Sequence, residues 1–351
     1  MALTLTKGNE AIAEGAIHAG CRFYFGYPIT PQNDIPEYLA REMPKIGGTF
    51  IQAESEIASI NMVLGAAAAG ARVMTSSSGP GVSLMQEGIS YLAGSELPAL
   101  VVYISRIGPG LGGIAPTQGD YKQVTSGGGH GDYYTIVLAP ASVQEMFSLT
   151  IKAFELADKY RNPAVLLCDA ILGQMKEPVE IGPRPDFKDI SLPDKPWALN
   201  GNAGRKSNLI KSLYLGDGEM EVQNWMLFDK YNKMKQEDTY FETTDVDDAE
   251  LLVVAFGSCS RMAQTGIDMA REQGMKVGML RPISLFPFPE KAVAELSARI
   301  PKVLVVEMNT GQMYKDVKVN LDRAADIHLY ARPGGGLPTP DDVLEEIKKI
   351  Y

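Results

Sequence analysis

Short, mostly apolar runs alternate with longer segments of helical spacing over the first half of this chain. The apolar runs fall at 22–26, 49–52, 71–75, 99–104, 135–138 and 164–167. Between them the pattern predicts helices at 8–19, 33–41, 55–69, 84–93 and 142–160. In the third helix Ile57, Ile60, Val63 and Leu64 recur at helical spacing and Ser55 is placed to cap the amino end. Continuously apolar strands separated by helices predict a parallel sheet covered on both faces. A long Gly-rich loop, 105–131, interrupts the alternation once.

From 176 to 245 the periodicity fades, and prolines, charges and aromatic residues take over. So long a stretch is too much for a simple loop. It reads as an extended connector, with local helix near 221–235, wrapped over the first unit or over a partner. From 248 the alternation resumes, with strands at 251–256, 276–280, 303–307 and 326–329 and helices at 261–273, 289–298, 312–321 and 340–349. The organisation expected is therefore an α/β chain of two doubly wound domains, 1–175 and 246–351, joined by a connector at 176–245.

Composition narrows the function. The chain has 351 residues, 45% hydrophobic and 22% charged, as in an ordinary globular protein. A net charge of −10 argues against nucleic acid and anionic membranes as partners. No apolar run is long enough for a membrane span, and the first residues lack a signal-peptide core. A cytoplasmic location is the expectation. Cys21, Cys168 and Cys259 are isolated, without the spacing of a disulfide scaffold, metal site or iron–sulfur cluster.

Four consecutive strands end in unusual loops. The first is Phe25-Gly26-Tyr27-Pro28-Ile29-Thr30-Pro31, where two prolines bracket Ile29 and Thr30 and fix the backbone on either side. The second carries Glu54 and Glu56 into a small-residue helix. The third is Ser76-Ser77-Ser78-Gly79-Pro80-Gly81, and the fourth is Ser105-Arg106-Ile107-Gly108-Pro109-Gly110. Open α/β sheets build ligand sites at the carboxyl ends of their strands, so these loops form the expected active-site rim.

Each candidate has a plain structural reading beside the functional one. Glu54 suits a charge that complements a helix dipole. Glu56, one residue inside the helix start, can point into a cleft and share a proton with a ring nitrogen. Arg106 ends an apolar run and must find either a structural ion pair or a substrate carboxylate to hold through two parallel hydrogen bonds. The glycines that follow it permit close approach or lid movement. His130 lies in a loop expected to reach the rim. Gly257-Ser258-Cys259-Ser260 is either a simple strand-to-helix turn or an amide cradle for an anion. Gly216-Asp217-Gly218 suggests a metal–diphosphate motif, but the Asn pair that would complete an oxygen shell does not follow, so a turn is the better reading.

Taken together, Gly8-Asn9-Glu10-Ala11, Gly26-Tyr27-Pro28-Ile29-Thr30-Pro31, Glu54-Ser55-Glu56-Ile57-Ala58, Ser78-Gly79-Pro80-Gly81, Arg106, Phe256-Gly257-Ser258 and Leu280-Arg281-Pro282 resemble the alpha subunits of the 2-oxoacid:ferredoxin oxidoreductases. The resemblance covers nearly the whole chain outside the connector. It implies a thiamine diphosphate pyrimidine-binding domain followed by a transketolase C-terminal-like domain. By the same resemblance Glu56 is the carboxylate that meets the aminopyrimidine, Tyr27, Pro28 and Ile29 line the cofactor, and Thr30 and Arg106 bind the 2-oxoacid.

The implied reaction is CoA-dependent oxidative decarboxylation, with electrons passed to ferredoxin. Thiamine diphosphate would be shared with a beta subunit that carries the diphosphate–Mg²⁺ site. The [4Fe-4S] clusters belong to partner subunits, among them gamma and ferredoxin-like delta chains. The run 108–121 and Gly127-Gly128-Gly129-His130-Gly131-Asp132-Tyr133 look most like the branched-chain (2-oxoisovalerate) type. A 2-oxoglutarate enzyme is the alternative, and a catalytically inert assembly subunit on the same fold is the alternative of another class.

Overall fold

The computed structural model describes residues 3–351. In chain order the first part contains β1 (Leu3–Lys7), α1 (Gly8–His18), β2 (Phe23–Gly26), α2 (Asp34–Glu42), β3 (Thr49–Gln52), α3 (Glu56–Ala68), β4 (Val73–Ser77), α4 (Pro80–Gly94), β5 (Leu100–Ser105), α5 (Tyr121–Thr125), β6 (Ile136–Leu138), α6 (Val143–Tyr160), β7 (Ala164–Asp169) and α7 (Ala170–Gln174). Then come β8 (Lys176–Glu180), α8 (Glu219–Glu237), β9 (Phe241–Thr244), β10 (Leu251–Val254), α9 (Gly257–Glu272), β11 (Val277–Pro282), β12 (Ser284–Phe286), α10 (Glu290–Arg299), β13 (Lys302–Glu307), α11 (Gln312–Asn320), β14 (Asp326–Ala331) and α12 (Pro340–Ile350).

The first sheet has the order β12-β6-β7-β5-β4-β2-β3. Its six strands from the first part run parallel, and every residue of β4, β5 and β7 is buried. That burial is why these strands read as unbroken apolar runs rather than alternating ones. The second sheet is β14-β13-β10-β11-β9, parallel except for β9. Both are open α/β sheets, as the sequence pattern predicts.

The departures from that pattern lie at edges and joins. The helix expected at 84–93 begins four residues earlier, because Pro80 takes the first helical position, where no amide hydrogen is needed. The segment 176–245 contains two strands as well as the expected helix. β8 pairs antiparallel with β1, and β9 adds an antiparallel edge to the second sheet. The short strand β12 leaves the second unit altogether and pairs antiparallel with β6 in the first sheet. Edge strands this short carry too few residues for a period to be read.

Two polar clamps fix the units to each other. Arg281, 5% exposed, grips both oxygens of Glu145 at 2.9 and 2.7 Å and also Glu242 Oε2 at 2.6 Å. Gln118 is the second clamp. Its Nε2 donates to the Phe256 carbonyl at 2.8 Å and its Oε1 accepts from the Met308 amide at 3.1 Å. Tyr121 Oη donates to Asp316 Oδ2 at 2.7 Å nearby. The root of the Gly-rich loop is therefore fastened to the second unit.

Candidate active site

β5, β4, β2 and β3 are neighbours in the sheet, so their carboxyl ends bring the four unusual loops side by side. Glu56 is the first residue of α3, whose amino end is capped by Ser55 Oγ accepting from the Ala58 amide at 3.2 Å. Glu56 is buried and Glu54 is exposed, so the acidic pair divides as the sequence suggests. Ser77 Oγ, at the end of β4, donates to Glu56 Oε1 at 3.4 Å. The first turn of α4 lies directly against the same carboxylate oxygen.

The Tyr27–Pro31 loop is held from its inner side. Asn9 Nδ2 and Gln174 Nε2 each donate to the Pro31 carbonyl at 2.9 Å. Asn9 also reaches Asp34 Oδ2 at 3.0 Å. The fully buried Gln32 donates to the Tyr27 carbonyl at 3.3 Å and accepts from Ser76 Oγ, which is itself bonded to Tyr24 Oη at 2.7 Å. With the backbone fixed in this way, Tyr27, Pro28 and Thr30 are exposed and Ile29 is half-buried. The outer face of the loop is left to whatever binds there.

Arg106 follows β5 and is 8% exposed. Its Nη1 donates to the Thr30 carbonyl at 2.8 Å and its Nη2 to the Leu111 carbonyl at 3.3 Å. Nε is buried without a partner, and no carboxylate among the described residues pairs with the guanidinium. The structural ion-pair reading therefore fails. A buried cation without its anion carries a desolvation cost that an incoming carboxylate offsets.

The cavity beside Arg106 measures about 400 Å³ and is bounded by Gly79, Pro80, Ser83, Asp120 and Gln123. Asp120 accepts from Ser105 Oγ at 2.5 Å. Burial pushes its carboxyl above the ordinary range, against the opposing hydrogen bonds of Ser105 and Tyr103. The loop that lines this cavity closes on itself through Ile107 and Ala115, whose amide and carbonyl meet at 2.9 Å, while Leu111 and Ile114 at its tip remain exposed.

Three sequence candidates lie elsewhere. The His130 loop packs on Gln86 and Ser90, a turn or more along α4, and His130 is exposed. The amino end of α9 does face an anion, but it is the buried Asp169 carboxylate of the first unit, 3.8 Å from where a Cβ on Gly257 would stand. The Gly216-Asp217-Gly218 triplet is the exposed turn that opens α8. Conversely, Asn9, Gln32, Ser77, Asp120 and Gln174 were missed as site residues. Asn9 stands inside a motif that carries the family resemblance, Ser77 inside the third strand-end loop and Asp120 inside the run that looks like the branched-chain type, whereas nothing local distinguishes Gln32 and Gln174.

The rim thus brings together a buried carboxylate, a buried guanidinium without a carboxylate partner among the described residues, and an outward-facing loop, all at the carboxyl ends of a parallel sheet, where open α/β folds bind ligands. Residues 14–242 match the family described as pyruvate flavodoxin/ferredoxin oxidoreductase, thiamine diP-bdg, and residues 249–343 match pyruvate:ferredoxin oxidoreductase core domain II. The ketoisovalerate oxidoreductase subunit VorB of Methanothermobacter thermautotrophicus is 51% identical over 350 residues, spanning 100% of this chain and 98% of its own. The 2-oxoglutarate synthase subunit KorA of Archaeoglobus fulgidus is 41% identical, spanning 99% of each. The chain belongs to the 2-oxoacid:ferredoxin oxidoreductase family, as a subunit of such an oxidoreductase.

Among solved structures, the 2-oxoglutarate:ferredoxin oxidoreductase from Magnetococcus marinus superimposes with a TM-score of 0.90 at 28% identity, over 99% of this chain and 65% of that longer one. A split-gene transketolase shares the fold at 12% identity and a TM-score of 0.59.

The residues present fit a thiamine cofactor. Glu56 is a buried carboxylate whose one side-chain hydrogen bond among the described residues is the long one that Ser77 donates to Oε1. The Ser78 hydroxyl is fully buried and unpaired at the same strand ends.

Proposed function

We propose that this chain supplies the pyrimidine-binding half of a thiamine diphosphate site in a CoA-dependent oxidoreductase of branched-chain 2-oxoacids, 2-oxoisovalerate foremost. The observation that carries the reading is Arg106, buried without a carboxylate partner among the described residues, at the same rim as Glu56. The cofactor, when bound, supplies the carbanion chemistry and the electron sink that decarboxylation requires. Glu56 holds and returns a proton at the ring edge of the cofactor. Arg106 receives the substrate carboxylate, and the Thr30 hydroxyl, exposed beside it, orients the same group. Tyr27, Pro28 and Ile29 form the wall on which the cofactor rests, and the lid at 108–121 covers the substrate side chain and excludes water.

The choice of substrate rests on charge. Among the described residues that line the cavity, Arg106 and Asp120 are the charged ones, so the lining offers one cation and suits a monocarboxylate. A 2-oxoglutarate side chain would bring a second carboxylate toward Asp120. The VorB relatives are named for ketoisovalerate and are more similar to this chain than the KorA relatives named for 2-oxoglutarate. The remaining machinery falls to partners: a beta subunit with the diphosphate–Mg²⁺ site, gamma and ferredoxin-like delta chains with [4Fe-4S] clusters, and ferredoxin as acceptor. The test is kcat/KM of the assembled complex for 2-oxoisovalerate, 2-oxoglutarate and pyruvate, read as CoA-dependent viologen reduction. Preference for 2-oxoglutarate would overturn the substrate assignment.

A further inference from the structure

The first turn of α4 contains two glycines with different reasons to be glycine. Gly79 has φ +46°, a backbone that L side chains rarely adopt, so its identity follows from conformation. Gly81 has no such constraint. It lies within the first turn of an ordinary helix, where alanine is normally the better residue. What it has is a neighbour. A Cβ built on Gly81 would stand 2.3 Å from Glu56 Oε1, 2.3 Å from Ser77 Oγ and 2.9 Å from Glu56 Cδ. The carboxylate of Glu56 and the hydroxyl of Ser77 together occupy the volume that a side chain at residue 81 would take.

From this geometry we infer that Gly81 and Ser77 are positioning residues for Glu56. The absent side chain of Gly81 is the space in which the carboxylate sits, and the Ser77 hydroxyl fixes which oxygen is turned inward. Ser77 is fully buried at the end of β4, so its hydroxyl cannot swing to solvent. It donates to Glu56 Oε1, which leaves Oε2 as the oxygen presented outward. Three consecutive strand-end elements therefore converge on one carboxyl group: the capped start of α3, the last residue of β4 and the first turn of α4. Neither glycine nor serine touches the reacting atoms; both act through Glu56. The inference rests on Glu56 being the acid–base group proposed above.

The test uses the assembled complex and a double-mutant cycle. Gly81→Ala is made alone, with Glu56→Asp, and beside Glu56→Gln and the control Gly65→Ala. Gly65 has open space where its Cβ would go, so that control isolates the generic effect of alanine in a helix. Three quantities are read for each: kcat, thiamine diphosphate affinity by calorimetry on the cofactor-free complex, and the melting temperature of that complex.

Gly81→Ala is expected to weaken thiamine diphosphate binding and to lower kcat by about 10²-fold, the scale of a 1 Å misplacement of a catalytic group. Gly65→Ala should leave both unchanged. Shortening the side chain by one methylene withdraws the carboxylate from residue 81. The loss caused by Gly81→Ala in the Glu56→Asp background is therefore expected to shrink to a few-fold, a non-additivity that a purely structural defect would not produce. Ser77→Ala should lower kcat by a smaller factor and weaken thiamine diphosphate binding less than Gly81→Ala does, with a modest fall in melting temperature from the lost buried hydrogen bond.

If Glu56→Gln is crippling while Gly81→Ala matches Gly65→Ala in all three readouts, the positioning role is wrong and the acid–base assignment stands. Additive losses in the cycle also overturn it. If Glu56→Gln itself is harmless, it is the assignment of Glu56 that fails.

Discussion

Arg106 Nη1 donates to the Thr30 carbonyl at 2.8 Å, across 76 residues of chain. The same guanidinium reaches the Leu111 carbonyl. One side chain thus ties the proline-stiffened loop after β2 to the lid after β5. The result is a fixed cation with free donor capacity at its buried Nε.

Arg106→Lys keeps the charge but loses the planar fork. An ammonium cannot serve both carbonyls and a carboxylate in one plane. KM for the 2-oxoacid is expected to rise by roughly 10- to 100-fold, the worth of a charged hydrogen-bond pair, with thiamine diphosphate affinity little changed. Thr30→Val removes one hydroxyl hydrogen bond to the carboxylate, weakened to about 1 kcal/mol by the exposure of the side chain, and should raise KM several-fold. Its side chain is exposed, so its melting temperature should match the wild type. Steady-state kinetics on both variants, with calorimetric cofactor titration, check these outcomes. An unchanged KM in Arg106→Lys would remove Arg106 from the substrate site.

Gln118 is the hinge pin between the lid root and the second unit. It is 3% exposed, and Gln118→Ala would strand the Phe256 carbonyl and the Met308 amide in the interior. Each buried unsatisfied group costs about 1–3 kcal/mol, so a loss of about 2–4 kcal/mol is expected in denaturant unfolding. A stability unchanged from wild type would show that water enters this join.

Arg184 ties the segment after β8 back to the first unit, with Nη2 2.7 Å from Glu14 Oε2 and Nη1 2.8 Å from Glu42 Oε2. Lys45, with Arg184 and Arg41, holds the Glu42 carboxyl down at about 2. Burial works to raise that of Glu14, but Arg184 and Tyr38 overcome it and keep it below the ordinary value. Both are carboxylates depressed on folding. Their contribution is present above about pH 4.5, the ordinary value, and is lost as pH falls toward 2. The melting temperature of Arg184→Ala should lie below wild type at pH 7, with the gap closing as pH falls from about 4.5 to 2. A gap that is constant over that range would contradict the coupling.

The sequence pattern makes the two parallel sheets and the rim legible for a physical reason. Strands such as β5 and β7 are buried on both faces, so burial writes itself into composition. Stiff loops at strand ends likewise show as proline and glycine. What stays hidden are contacts with no periodic signature. β12 crosses into the other sheet through only three residues, and Asn9 acts by holding a carbonyl 22 positions away. Glu56 and Glu54 differ in the sequence only by their place relative to Ser55, yet one is buried and the other exposed. Arg106 was legible as a residue in need of an anion. That no carboxylate among the described residues pairs with it required the structure.

Glu56 is proposed as the acid–base group of a site completed by a partner chain. The most direct measurement is kcat for 2-oxoisovalerate-dependent, CoA-dependent viologen reduction by the reconstituted complex, compared between wild type, Glu56→Gln and Glu54→Gln. An amide in place of Glu56 cannot hold or return the proton, so a loss of about 10²-fold or more is expected. Glu54→Gln, on an exposed side chain, should stay within a few-fold of wild type. A mild Glu56→Gln beside a crippling Glu54→Gln would contradict the account.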